Sequence, residues 1–432
     1  MDANLEEIKV EDCLSPIDER VRSTTERLEA DFKQINTKIH RFPPSLGGIG
    51  SRYTTPSVVS LGPYHHGSPH LKQMEPVKHA AACYFCADSN SSIREVYEKI
   101  VSVAGDARGF YEEEAVAHFS DAEFAEMMFL DGCFLLEYIG GMKDHDPLLA
   151  NSMVLSTGPC MLRDIMLLEN QLPWLILETL MTFKPVEVYK FMIHVIRVDL
   201  LADGKVPAGE DVIKQFKAPH FLGLARLCVT GNKSDGQEGD HSRVTEQSRG
   251  TAASLSAIRL AEMGVKVKAA SKTNLFIEMN VTSKGSICAD LSLSPVCLND
   301  FTTCWLVNMA AFETSIATGY PLDGFVISSY LSLLAMLMDK EEDVHELRAR
   351  HIIRSFYSNK ETLHFFKSIA RHLRLGNRCF VISKIIDDYK REKKTWIKVH
   401  KPLYHHWGKI VTAISIVSVL VGIFKALLIS PK

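Results

Sequence analysis

A run of twenty residues, Ile410 to Ile429 (IVTAISIVSVLVGIFKALLI), constrains this chain more than any other stretch. It carries a single charge, Lys425, one turn from its end. At ~1.5 Å rise per residue a helix of this length covers ~30 Å, the hydrocarbon thickness of a bilayer. Thirteen of the twenty residues are Leu, Ile, Val or Phe. At roughly −0.3 to −0.6 kcal/mol each, their transfer into lipid contributes about −4 to −8 kcal/mol. Lys425 sits close enough to the end to snorkel to the headgroups. The competing reading is a buried helix of a soluble core, but such helices are usually shorter and less uniformly apolar. The sequence therefore predicts a large body tied to a lipid bilayer through Ile410–Ile429.

Orientation follows from the rest of the chain. The opening MDANLEEIKVEDCLSP is acidic and lacks the apolar core of a secretory signal. A span that emerges last leaves the body in the cytosol, and the plasma membrane is the expected address. Lys390, Arg391, Lys393, Lys394, Lys398, Lys401 and Lys409 precede the span, against Lys425 and Lys432 at its far end, which agrees with a positive-inside topology. In that topology the sequons at Asn90, Asn232 and Asn280 stay unmodified. A net charge of −3 over 432 residues argues against a general nucleic-acid binder. The ten cysteines are scattered, several of them in apolar runs, as expected of reduced thiols rather than a disulfide framework.

Hydrophobic periodicity predicts a mainly α fold: a large multi-helix domain over residues 21–403 after a mobile stretch at 1–20. Val21 to Ile39 reads as an amphipathic helix ended by Pro43-Pro44, and helices are expected over 93–104, 121–139 and 187–201. Leu162 to Leu177 is apolar almost all round, hence buried, with Pro173 kinking or dividing it. Residues 231–250 are polar, glycine-containing and aperiodic, which predicts a disordered insert. A short helix at Ala253–Met263 precedes β signals at Val265–Val267, Leu275–Met279 and Ile287–Leu293, a small hairpin or three-stranded sheet near 265–293 with a turn at Ser283-Lys-Gly285. Helices resume at 298–317, 325–339, 341–352 and 361–372, and a basic one from Val381 to about Lys401 leads into an anchor over 407–430.

Three places invite a chemical reading. Tyr64-His65-His66 lies between turns at Gly62-Pro63 and Gly67-Ser68-Pro69. Adjacent loop histidines rarely face one ion, and no nearby carboxylate or cysteine pair completes a set, so packing or capping is favoured over metal binding. Cys83-Tyr-Phe-Cys86 has no second pair to make a zinc site and reads as two small core residues. Glu169-Asn170-Gln171 sits inside the apolar run. These three can satisfy backbone groups freed by the break at Pro173; the sharper alternative makes Glu169 an active-site carboxylate. Asn232-Lys-Ser-Asp235 mimics a guanine-reading motif, but no GxxxxGK[ST] phosphate loop accompanies it.

Several of these pieces recur together. PSVVSLGPYHHG with KQMEPVK, DGCFLLEYI, DIMLLENQLPWLILE, AIRLAEMGVKVK, SPVCLNDFTTCWLVNMAAFE and the basic helix with its apolar tail follow one another in order. In this the chain resembles the plant domain-of-unknown-function 247 family, also called uncharacterised protein family 0481. The departures are Thr54-Thr55, where an aromatic residue is common before Pro56, and the variable stretch at 231–250. The resemblance implies a mainly helical fold, one C-terminal span, no established enzymatic activity and, for some members, a pollen-side role in self-incompatibility. It implies no catalytic, metal or cofactor-binding residues.

Two functional classes are consistent with these readings. One is a membrane-anchored recognition component whose body binds another protein. The other is a membrane-tethered enzyme using His65, His66 and Glu169, which requires those groups to converge in one pocket. A lipid-contacting adaptor using Lys390, Arg391, Lys393, Lys394 and Lys398 is a third possibility, although a topology signal on a solvated helix face explains those residues as well.

Overall fold

The computed structural model describes residues 19–26, 35, 37–141, 152–201, 218–231, 255–270, 276–284, 288–316 and 324–429. The expected mobile start (up to residue 18) and the polar insert (from residue 232) lie outside these. The chain forms two compact units. The first comprises Met1–Val188, Phe216–Leu224 and Ala311–Tyr320, and the second Tyr189–Gln215, Ala225–Ala310 and Pro321–Lys432.

Helices dominate the first unit. They are α1 (Glu75–Asp88), α2 (Ile93–Arg108), α3 (Asp121–Gly141), α4 (Ser152–Asp164) and α5 (Trp174–Met181), with α6 starting at Val188. In α2, Val96, Ile100, Ala104 and Ala107 form one buried stripe at helical spacing. The Ser92 side chain caps its start by accepting from the Glu95 N–H. By contrast α3 is apolar on nearly every side and is buried accordingly. It packs against α1, α2 and α5. Gly132 permits the close approach to α5: a Cβ there would come within 2.5 Å of Leu180 Cδ1.

The second unit holds the end of α6 (Val188–Val195), continued by a π turn over Ile196–Leu200, and most of α7 (Phe221–Thr230). It also contains α8 (Ala257–Glu262), most of α9 (Asp300–Ile316), α10 (Val326–Leu337), α11 (Glu341–Ala349), α12 (Asn359–Ala370), α13 (Asn377–Glu392) and α14 (Lys394–Ile429). A sheet of order β1-β3-β2 is built from β1 (Val265–Ala269), β2 (Asn280–Lys284) and β3 (Cys288–Leu293). Its β1–β3 pairing is parallel and its β2–β3 pairing antiparallel. A second, parallel pair joins β4 (Val296–Leu298) to β5 (Ile353–Ser355). The core stacks Phe276 on Tyr330 with centroids 4.1 Å apart, and the Tyr330 hydroxyl donates to Ser294 O at 2.6 Å. Asp343 ties α8 to α11: its carboxylate accepts from the Ile258, Asp339 and Lys340 N–H groups.

Several expectations are corrected. The helix read over 21–39 does not reach Ile39, whose N–H donates to Phe110 O at 2.7 Å in a bridge to Tyr111; residues 27–34 are outside the described set. Leu162–Leu177 is largely buried and is divided rather than kinked: α4 stops at Asp164 and α5 starts after Pro173, with non-helical chain between. Ile277–Met279 is not strand, and Ser283 and Lys284 belong to β2 rather than to a turn. Cys83 is exposed while Cys86 is buried, so they are not two core residues. The basic helix breaks at Lys393, and its second half runs without interruption into the apolar tail.

Candidate functional site

Residues 57–62 form a strap in the first unit that starts at the surface with Ser57 and is buried from Val59 to Gly62. They lie in no sheet, so their peptide groups need other partners. Three side chains supply them. Asp164, at the end of α4, accepts from the Ser57, Val58 and Val59 N–H groups through Oδ2 at 2.8, 2.7 and 3.2 Å. Asn170 accepts from the Leu61 N–H at 2.7 Å and donates to Val59 O and Asp164 O. Asp131 of α3 accepts from the Gly62 N–H at 2.8 Å. Gly62 turns the strap with φ of 73°, and a Cβ would meet Gln171 O and Tyr111 Oη, both at 2.8 Å.

Behind the strap lies a buried charge. Lys78 of α1 is sealed from solvent and places Nζ 2.7 Å from Asp131, 2.9 Å from Glu75 and 3.2 Å from Ser60 Oγ. Burial works against the ammonium, but the two carboxylates outweigh it and raise its pKa. All three donors of the ammonium are thereby occupied.

The histidine pair separates. His65 Nε2 lies 3.6 Å from Glu169 Oε2, longer than a hydrogen bond, and both side chains are 15% exposed. Burial is the main cause that pulls the His65 pKa to about 4; His70 adds to it and a hydrogen bond with the Thr54 backbone opposes it. The ring is therefore neutral at neutral pH. Glu169 commits Oε1 to the Phe42 N–H at 2.7 Å. His66 is exposed and packs edge-on against Phe119, with centroids 5.5 Å apart. Tyr64 donates to Ile39 O at 2.8 Å and lies under the Arg41 guanidinium at 5.0 Å.

The polar triplet works as backbone support. Gln171 donates through Nε2 to Ile165 O and Leu167 O, and accepts from the Leu222 N–H at 2.8 Å. Among the described residues, no group of three or more His, Cys, Asp and Glu is placed to hold a metal ion.

A second constellation surrounds Glu262 at the end of α8, in the second unit. Its carboxylate meets Lys401 Nζ at 3.0 Å and His405 Nε2 at 2.9 Å, and its carbonyl accepts from His400 Nδ1 at 2.9 Å. Those three partners lie on α14, just ahead of the apolar tail. From Gly408 to Lys425 that tail is long and apolar enough to cross a membrane, and none of it is buried against the rest of the chain.

The family model described as a plant protein of unknown function, DUF247, matches residues 39–421. The chain belongs to the DUF247 family. Curated plant relatives agree. UPF0481 protein At3g47200 of Arabidopsis thaliana is 25% identical over 385 residues, covering 83% of this chain and 77% of that protein. A second UPF0481 protein of Arabidopsis thaliana, At3g02645, is 28% identical over 158 residues, 36% of this chain and 29% of that protein. No solved structure matches. The DUF247 match takes in the strap, its acceptors, the Glu262 cluster and most of the apolar tail. Asp164 and Glu262 were not singled out from sequence, because each looks like an ordinary acid near a helix end.

Proposed function

We propose that this DUF247 protein is anchored in a bilayer through Ile410–Ile429 and acts by binding another protein with its body, without catalysing a reaction. The observation that carries this reading is the unburied apolar stretch Gly408–Lys425 at the end of a 36-residue helix. A soluble fold leaves so much contiguous apolar surface in water only at a cost that lipid removes. On this reading the body lies in the cytosol, which the positive flank supports, the membrane is the plasma membrane, and the partner is not a nucleic acid. Self-incompatibility recognition in pollen is the role this reading extends to. Alkaline carbonate washing of vesicles tests the anchor: the intact chain stays with the membrane pellet, and its release into the supernatant overturns the proposal. Proximity labelling from the anchored chain in pollen then reads the partner, and labelling no stronger than that of an unrelated tail-anchored protein counts against recognition.

The enzyme reading has one observation in its favour, the approach of His65 to Glu169. Three others oppose it. His65 Nε2 is sealed from solvent, its ring is too weakly basic for proton abstraction near pH 7, and His66 faces Phe119.

A further inference from the structure

The helix that leads into the span carries its lysines ahead of the apolar tail, and one of its three histidines, in one line. Lys394, Lys398, Lys401, His405 and Lys409 follow at spacings of four, three, four and four, which at ~100° per residue confines them to an arc of about 80°. This stripe already holds an anion. The Glu262 carboxylate uses one oxygen for Lys401 and the other for His405. Both remain half exposed, at 57% and 51%, so a second anion can reach them from the open side. Lys409 pairs with no acidic residue among those described, and it is exposed.

Height sorts the stripe. With the hydrocarbon edge at Ile410, His405 lies ~8 Å and Lys401 ~14 Å above it along the axis. A headgroup layer of ~6 Å and a Debye length of ~8 Å bring those two and Lys409 within reach of lipid charge. Lys398 and Lys394, at ~18 and ~24 Å, are beyond it. The more distant Lys390, Arg391 and Lys393 belong to the preceding turn and helix α13, so they are not the lipid contact.

We propose that Lys401, His405 and Lys409 form a binding site for the anionic headgroup of a bilayer phospholipid, with the lipid phosphate or carboxylate sharing these groups with Glu262. This rests on the anchor reading above. The stripe supplies three basic side chains against one carboxylate, and it is continuous with the helix that enters the lipid.

The test uses the full chain reconstituted in nanodiscs of phosphatidylcholine with about one-third phosphatidylserine, read by native mass spectrometry of retained lipids. Among the retained lipids the ratio of phosphatidylserine to phosphatidylcholine is expected at roughly fivefold or more over that ratio in the disc, since one cation near the surface is worth about that factor. Lys409→Gln should lower the enrichment by about fivefold, while Lys384→Gln, an exposed lysine on α13 off the stripe, leaves it unchanged. Millimolar inorganic phosphate should not displace the lipid. Retention at the bulk ratio in a chain that does enter the discs overturns this site and leaves the anchor standing, as does enrichment that survives Lys409→Gln. Loss of enrichment in phosphate reassigns the stripe to a soluble anion and overturns the lipid assignment. A chain that never enters the discs overturns both readings.

Discussion

Asp164 shows how much one side chain can organise. It is fully buried, accepts three consecutive backbone N–H groups, and is met by Arg163 at 2.9 Å. Removing the carboxylate leaves the Val59 N–H in the core and the Ser57 and Val58 N–H groups nearer the surface without their acceptor, the buried donor costing about 1–3 kcal/mol and the other two less. Asp164→Ala should therefore lower stability by about 3 kcal/mol, seen as a lower urea midpoint for the full chain in detergent. Glu112→Ala should move it by less than about 1 kcal/mol, because its contacts with Arg41 are exposed. Histidine protonation gives a second prediction at this scale. His220 is fully buried, accepts from the Gly223 N–H through Nδ1, and packs edge-on to Phe312. Burial lowers its pKa to about 3, as burial lowers that of His65 to about 4. Both values lie below the unfolded value of ~6.5, so the unfolded chain takes up the proton first. Stability from this source is complete above pH ~6.5 and falls as the pH drops from there towards 4. Between about pH 6.5 and 5, ahead of most carboxylates, His220→Asn should flatten the fall in unfolding free energy, read by urea titration, by about 2 kcal/mol. An unchanged slope would show that the ring is already charged in the fold.

Among elements, turns were easier to read than helix ends or long-range partners. The start of α12 carries a capping box: Ser358 Oγ accepts from the Glu361 N–H, and the Glu361 carboxylate accepts from the Ser358 N–H at 2.8 Å. Ser358→Ala should cost about 1 kcal/mol in thermal stability, whereas Ser358→Asp should cost much less. The turns at Gly62 and Gly67 were legible because Gly and Pro punctuate a chain locally, and both glycines have positive φ. That Glu169, Asn170 and Gln171 serve backbone groups was also legible, since polar groups in an apolar run need partners. Which groups they serve was not. Asn170 reaches Leu61, 109 positions earlier in the chain, and side-chain periodicity carries no record of such a distance. The β4–β5 pair escaped for a related reason: each strand is three residues long, and they are far apart in sequence. The expected helix from Val381 was read as one piece because nothing in its composition marks the break at Lys393.

For the whole molecule, orientation is open to a direct test. Asn90 and Asn280 head two sequons and are both exposed, Asn90 in a turn with φ of 54°. A body on the cytosolic side leaves them bare, so endoglycosidase treatment of the native chain should not change its mobility. A shift that Asn90→Gln abolishes would place the first unit in the lumen or outside the cell. The mainly helical class and the apolar tail were both readable from composition and period, because burial of a whole helix face leaves a signal in every turn. Function was not readable in the same way: of the groups that looked chemical, Tyr64, Glu169, Asn170 and Gln171 hold backbone, and His66 packs on Phe119.

Helix α14 runs for 36 residues, ~54 Å, with Pro402 as its one internal proline. No linker of glycine and serine separates the part bound to Glu262 from the apolar tail. Glu262 ties α8 to this rod through Lys401, His405 and His400, so under the proposed anchoring it does not swivel freely above the leaflet as a flexibly tethered element does. Any twist or tilt imposed on the tail by a thicker bilayer or a neighbouring span is handed directly to α8. A partner that grasps the body gains the same leverage in reverse.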